Sequence, residues 1–161
     1  MKSVYIETSV VSYLTSRPSP SLVAAAHQQI TREWWDYHRP RFEQYVSPLV
    51  LDEAGRGDPE ASARRLAALD GFAILESTTK ASELVDALIS DGALPAVAID
   101  DAAHVAYAAV HNIDYLVTWN CRHIDNAEAK PLIRSVCAVH GYTCPEICTP
   151  EELMGGAPYE G

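Results

Sequence analysis

Long hydrophobic runs are missing from this sequence: no apolar stretch approaches the roughly 18 residues that cross a bilayer. The N-terminus also lacks the charged-then-apolar pattern of a secretory leader, so the chain is expected in the cytoplasm and away from membranes. Basic residues are scarce. With 12 Lys and Arg against 22 Asp and Glu, the net charge is −10, which excludes a general-purpose nucleic-acid binder, whose affinity rests on phosphate contacts. Glycine is absent from Glu7 to Leu14, and that excludes a dinucleotide-binding loop after the first predicted strand. The same segment offers Glu7-Thr8-Ser9 where a phosphohydrolase with an aspartyl nucleophile needs Asp, usually as Asp-x-Asp. Cys137, Cys144 and Cys148 with His140 lack the paired Cys-x-x-Cys spacing of a zinc site, so these cysteines and Cys121 are expected as free thiols. Repeats and low-complexity segments are absent as well.

What is present is enough for one core. A chain of 161 residues with 48% hydrophobic content predicts a single domain over residues 1–154 and a flexible tail over 155–161. Met1–Ile6 reads as a first strand and Val10–Leu14 as a first helix. A loop with two prolines leads to a long amphipathic helix over 21–38, with Leu22, Ala25, Ala26, Gln29, Ile30 and Trp34 as its inward stripe. Trp34 and Trp35 are neighbours and cannot face the same way, so one is expected in the core and the other half exposed at a partner interface. Phe42–Val46 is the second strand. Ser47-Pro48 then opens a helix through Ala54, in which Glu53 shares the inward face of Leu49 and Val50 while Asp52 points outward.

Gly55 to Pro59 is a turn whose Gly-Arg-Gly-Asp tetrapeptide lacks the glycines, lysine and strand context of a phosphate loop. Asp58 caps a helix with Pro59 at its first position, running to Leu69. Phe72–Leu75 is the third strand, and Thr78 or Thr79 caps a helix over 80–90. The stretch from Leu94 to Asn126 organises the rest. Its helix, Ile99–His111, is closed by Asn112 and sets Asp101 and His104 on one face. Asp114–Trp119 follows as a strand buried in a parallel sheet, with Asn120 at its end. A helix over 130–139, a short edge strand over 144–148 and a capped turn at Thr149–Leu153 complete the chain. Alternating strands and helices predict a parallel sheet with helices on both faces.

Chemistry in such sheets gathers beyond the carboxyl ends of the strands. Glu7 and Asn120 stand at two of those ends, and Asp100 and Asp101 open a helix beside them. Oxygen ligands of that kind suit a hard divalent cation, Mg2+ or Mn2+. Arg17, Arg32, Arg39, Arg41, Arg122, Lys130 and Arg134 are candidates for a local basic rim facing phosphate, with a solvated surface as their simpler reading. Each site candidate has a plainer role too: Asp100 as a helix N-cap, Asp101 as a cap-box residue, Glu53 as a solvated helix acid, Asn120 as a turn residue. Glu7 can cap the first helix, although Thr8 and Ser9 are better caps. His104 and His123 read more readily as hydrogen-bonding histidines than as ligands, and Trp119 as core.

Four blocks carry a resemblance: Tyr5-Ile6-Glu7-Thr8-Ser9-Val10-Val11-Ser12-Tyr13-Leu14, Ser47-Pro48-Leu49-Val50-Leu51-Asp52-Glu53, Asp101-Ala102-Ala103-His104-Val105-Ala106, and Thr118-Trp119-Asn120 followed by His123-Ile124. In this order and at these separations they resemble the PIN domain family, and within it the VapC-like toxins of bacterial toxin–antitoxin pairs. The resemblance implies a three-layer α/β/α fold, Mg2+- or Mn2+-dependent cleavage of RNA, homodimers and inhibition by a cognate antitoxin. Position by position, it makes Glu7, Glu53, Asp101 and Asn120 the metal-binding catalytic set and Thr8, Ser9 and Thr118 the hydroxyls lining it. Two positions depart from the pattern: the first and fourth acids of the family are usually Asp, and here they are Glu7 and Asn120. Together they motivate an alternative, a PIN-like binding or regulatory module that has lost catalysis.

Overall fold

Four consecutive buried residues, Ser3–Ile6, form β1 at the centre of a five-stranded sheet. Burial on both faces explains their unbroken apolar run, as expected of a parallel sheet covered by helices. β2 (Glu43–Val46), β3 (Ala73–Ile74), β4 (Tyr115–Val117) and β5 (Glu146–Cys148) complete it in the order β3-β2-β1-β4-β5, and every pair is parallel. The register sets Ile6 beside Val117, so β1 and β4 end level with each other. At their opposite ends Ser3 and Asp114 bracket the pair: the Ser3 amide and hydroxyl donate to Asp114 Oδ2 at 2.9 and 3.1 Å, and the Asp114 amide donates to Ser3 Oγ at 2.9 Å.

Among the described residues, seven α-helices pack on the sheet, giving the three-layer α/β/α arrangement that the sequence implies. They are α1 (Thr8–Thr15), α2 (Leu22–Glu33), α3 (Pro48–Ala54), α4 (Pro59–Ala68), α5 (Thr79–Ser90), α6 (Ile99–Val110) and α7 (Lys130–Val139). The computed structural model describes residues 1–155, so beyond Gly155 the expected flexible tail lies outside the described residues. No helix among the described residues is long and apolar enough to cross a membrane.

Most boundaries follow local chemistry. Ser47, Asp58 and Thr78 accept from backbone amides at the starts of α3, α4 and α5. Asn112 leaves α6 with φ of 56°, a left-handed conformation that Asn tolerates.

Three expectations are corrected. Of the expected stripe, Trp34 is buried and Ile30 packs against the core, but the buried positions of α2 itself are Gln28 and Thr31, while Leu22 is 89% exposed and Ala26 and Gln29 face solvent. The reason is polar: Gln28 donates to Ser16 Oγ and the Arg17 carbonyl and accepts from the Ser19 amide, so α2 turns this side chain inward to hold the loop before it. Second, Trp34 and Trp35 are both buried. After Glu33 the helix widens into a π-turn, Trp34–His38, closed by an Arg39 amide bond to the Trp34 carbonyl. A wider turn separates adjacent side chains by a smaller angle, and both indoles reach the interior. Third, Asp100 is no N-cap, because α6 grows directly from a short 3₁₀ turn, Ala96–Ala98, and Asp100 sits exposed in its first turn.

Candidate metal centre

The site forms where the strand order reverses. β1 lies between β2 and β4, and ligands of doubly wound sheets bind in the crevice at such a reversal, beyond the carboxyl ends of the strands. Glu7 leaves β1 there, Thr118 to Asn120 leave β4, and Ser47 ends β2 before capping the helix that carries Glu53. From the covering layer, α6 brings Asp101 and His104.

Glu7 is nearly buried, with 6% exposure, yet its carboxylate is fully engaged. Oε2 accepts from the Ser9 amide at 3.0 Å, which makes Glu7 the N-cap of α1 in place of the expected Thr8 or Ser9. Oε1 accepts from the Ser9 hydroxyl and from Thr118 Oγ1 at 2.6 Å. Backbone amides decide the direction of these hydroxyls: Trp119 N donates to Ser9 Oγ and Asn120 N to Thr118 Oγ1, both at 2.9 Å, so the hydroxyl protons turn toward Glu7. Three donors therefore converge on this one carboxylate.

Glu53 reaches the same place from α3. Its Oε1 accepts from Thr8 Oγ1 at 2.7 Å and lies 2.6 Å from His104 Nε2. Burial pushes the Glu53 carboxyl up, but the hydrogen bond and charge of His104, the Thr8 hydroxyl and Arg56 outweigh it and hold it below the usual carboxylate range. His104 is 1% exposed. Burial alone would lower its affinity for a proton, whereas the bond to Glu53 and the charges of Glu7, Glu53 and Asp101 raise it. Its other nitrogen, Nδ1, is 2.6 Å from Tyr5 OH, which in turn lies 2.7 Å from Ser47 Oγ. A buried chain thus runs from Ser47 through Tyr5 and His104 to Glu53.

Asp101 belongs to an adjoining cluster. Asn120 Nδ2 donates to its Oδ1 at 3.0 Å, and His123 Nδ1 lies 2.9 Å from its Oδ2. Asn120 Oδ1 accepts from the His123 amide at 3.1 Å, so the amide oxygen turns to its own loop. The four residues of the expected set therefore meet at one strand edge in two groups, Glu7 with Glu53 and Asp101 with Asn120. Asp100 stays outside both, 4.0 Å from Arg56.

Of the expected basic rim, Arg39 lies over the rings of Trp35 and Phe72, Arg41 over Phe42, and Lys130 pairs with Asp125 at 2.7 Å. Arg17 is exposed and 3.5 Å from Glu60. Arg56, read from sequence as part of a turn, pairs with Asp52, and its charge acts on Glu53.

Among the described residues, one group of three side chains can hold a metal ion: Glu7, Glu53 and His104, with ligand atoms all within 4.8 Å of one another. Ligands held at about 2.1 Å span at most roughly 4.2 Å, so small side-chain adjustments let all three meet one ion. A buried carboxylate, a half-buried one and a buried imidazole suit a divalent cation. All four cysteines are free thiols.

Sequence reasoning passed over His104 as a ligand. Two signals point to it: His104 follows Asp101 by three residues on α6, one turn along the same face, and Tyr5 precedes Glu7 by two residues, the spacing that aligns side chains along a strand. Compared with known proteins, the chain matches no protein-family model and no curated protein.

Proposed function

We propose that this chain is a metal-dependent endoribonuclease of the PIN type, acting as the toxin of a toxin–antitoxin pair. The observation that carries the reading is the convergence of Glu7 and Glu53 with His104 at the β1/β4 reversal, with Asp101 beside them. Mg2+ or Mn2+ at this point would activate a water and neutralise charge developing on the scissile phosphodiester. The protein's own part is to hold the acids ready. Ser9 and Thr118 fix Glu7, Thr8 and His104 fix Glu53, and Asn120 and His123 fix Asp101, so the carboxylates are held within small adjustments of where a cation needs them. An RNA substrate, a homodimer, an antitoxin partner and a cytoplasmic setting belong to the same proposal.

A second reading has its own support. Asn120 stands where the fourth acid would, and both ends of its amide are spent on Asp101 and the His123 backbone. That arrangement favours a binding module of the same shape whose site no longer cuts.

Single-stranded RNA incubated with the purified chain and Mg2+ or Mn2+ decides between them. Cleavage that disappears with EDTA and in Asp101→Ala supports the nuclease. Equal inertness of wild type and variant, with melting unmoved by Mn2+, rejects it.

A further inference from the structure

The histidine that the acids share has a supporting chain of its own, and that chain has the polarity of a ligand's. An imidazole that binds a cation through one nitrogen almost always donates the other N–H to a second group, which fixes the tautomer and the ring. His104 presents Nε2 toward Glu53, within the Glu7–Glu53–His104 group, and Nδ1 toward Tyr5 OH at 2.6 Å. Tyr5 OH can accept from Nδ1–H because its own proton has a partner, Ser47 Oγ at 2.7 Å. The relay is anchored at the far end as well: Ser47 is fully buried, caps α3 and accepts from the Val50 amide at 3.3 Å. The 2.6 Å contact places a proton between Nε2 and Glu53 Oε1, and a cation binding Nε2 would displace it. The Glu53 oxygen opposite it has a second donor, Thr8 Oγ1 at 2.7 Å, and stays satisfied if Nε2 turns to another partner.

We propose that His104 Nε2 is a metal ligand, joining one carboxylate oxygen each from Glu7 and Glu53, and that the site therefore takes a first-row transition cation, Mn2+ among them, in preference to Mg2+. Imidazole nitrogen suits zinc, iron or nickel and is also taken by Mn2+, the weakest binder of that series, whereas Mg2+ is held through oxygens and retained waters. Asp101, engaged by Asn120 and His123, does not directly bind this ion. The inference rests on the metal-site half of the functional reading and is independent of whether RNA is cut.

The test uses the full chain with Mn2+ alone and Mg2+ alone. Calorimetric titration should give Mn2+ an affinity at least about tenfold above that of Mg2+. Pulsed electron paramagnetic resonance of the Mn2+ complex should show a directly bonded imidazole nitrogen, which vanishes in His104→Gln and persists in His123→Gln. Tyr5→Phe, which keeps the ring volume, should weaken Mn2+ roughly 10- to 100-fold while leaving circular dichroism unchanged, the cost of losing an outer hydrogen bond. Mn2+ bound without nitrogen coupling, a nitrogen signal lost in His123→Gln, or equal affinity for the two cations overturns the assignment. An inert protein that still shows the His104 signal would defeat the nuclease reading and leave this one standing.

Discussion

Asn120 turns its amide nitrogen, not its oxygen, toward Asp101: Nδ2 lies 3.0 Å from Oδ1, and the amide oxygen accepts from the His123 backbone. At the position where resemblance calls for an acid, the structure has a donor that neutralises nothing but keeps a neighbouring acid in place. The charge missing from residue 120 thus becomes a hydrogen bond, and the stability of the apo site benefits from it.

Asn120→Asp reverses that benefit. A carboxylate at 120 can still accept from the His123 amide, but its other oxygen meets Asp101 Oδ1 with like charge and no proton between them. Without metal, the variant should lose roughly 1.5–3 kcal/mol, the range for a hydrogen bond to a charged group. Saturating Mn2+ should recover part of the loss, so the melting shift on adding Mn2+ should be larger in the variant than in wild type. Equal shifts by differential scanning fluorimetry would mean that residue 120 does not face the cation.

Glu53→Gln tests the pairing with His104. Glutamine keeps an oxygen for the Thr8 hydroxyl, yet the buried imidazole loses its adjacent negative charge. Breaking a buried ion pair from one side costs several kcal/mol, and since Glu53 keeps 21% side-chain exposure the expected loss is at the low end, about 3 kcal/mol by urea unfolding. His104→Gln alone should cost a similar amount, and the double variant less than the sum of the two. Additive losses would show that the 2.6 Å contact carries no coupling.

The acid limb of stability should contain a signature of Asp114. Hydrogen bonds from the Ser3 backbone amide, opposed by a little burial and helped by the Ser3 hydroxyl and the charge of Lys2, hold its carboxyl below the usual range. A carboxyl with a depressed folded pKa contributes stability that is present above its unfolded value, near 3.9, and is lost as pH falls through the folded one. Asp114→Asn should therefore be less stable than wild type at pH 6, and the difference should shrink below about pH 3. Urea midpoints of the two proteins at both pH values check this, and a gap unchanged with pH would remove Asp114 from the acid response.

How much of this was legible depends on distance along the chain. Ser47-Pro48 and Asp58-Pro59 announce their helices because a cap acts within three residues, and Glu53 pointing inward follows from the period of α3 alone. The placement of Glu7 and Asn120 at one sheet edge was readable because both stand at ends of buried strands. What stayed hidden depends on remote partners. Tyr5 meets His104 across 99 residues, and no local pattern reports that contact. The same holds for Gln28, polar at a buried position only because of the loop it grips, and for the π-turn that brings Trp35 inward.

The helix and π-turn over residues 21–38 can be tested by three substitutions. Leu22 and Trp34 belong to a single stripe if residues 21–38 form one regular helix, and then replacing either should damage the core. In the structure Leu22 is 89% exposed and Trp34 is fully buried. Leu22→Ser should change stability by less than about 0.5 kcal/mol, as surface substitutions do, whereas Trp34→Ala should cost roughly 3–5 kcal/mol through the cavity it leaves. Trp35→Ala decides between a π-turn and a regular helix, because only the wider turn gives both indoles a place in the core. A loss close to that of Trp34→Ala is expected, and a near-neutral Trp35→Ala would restore the regular helix and return that indole to the surface.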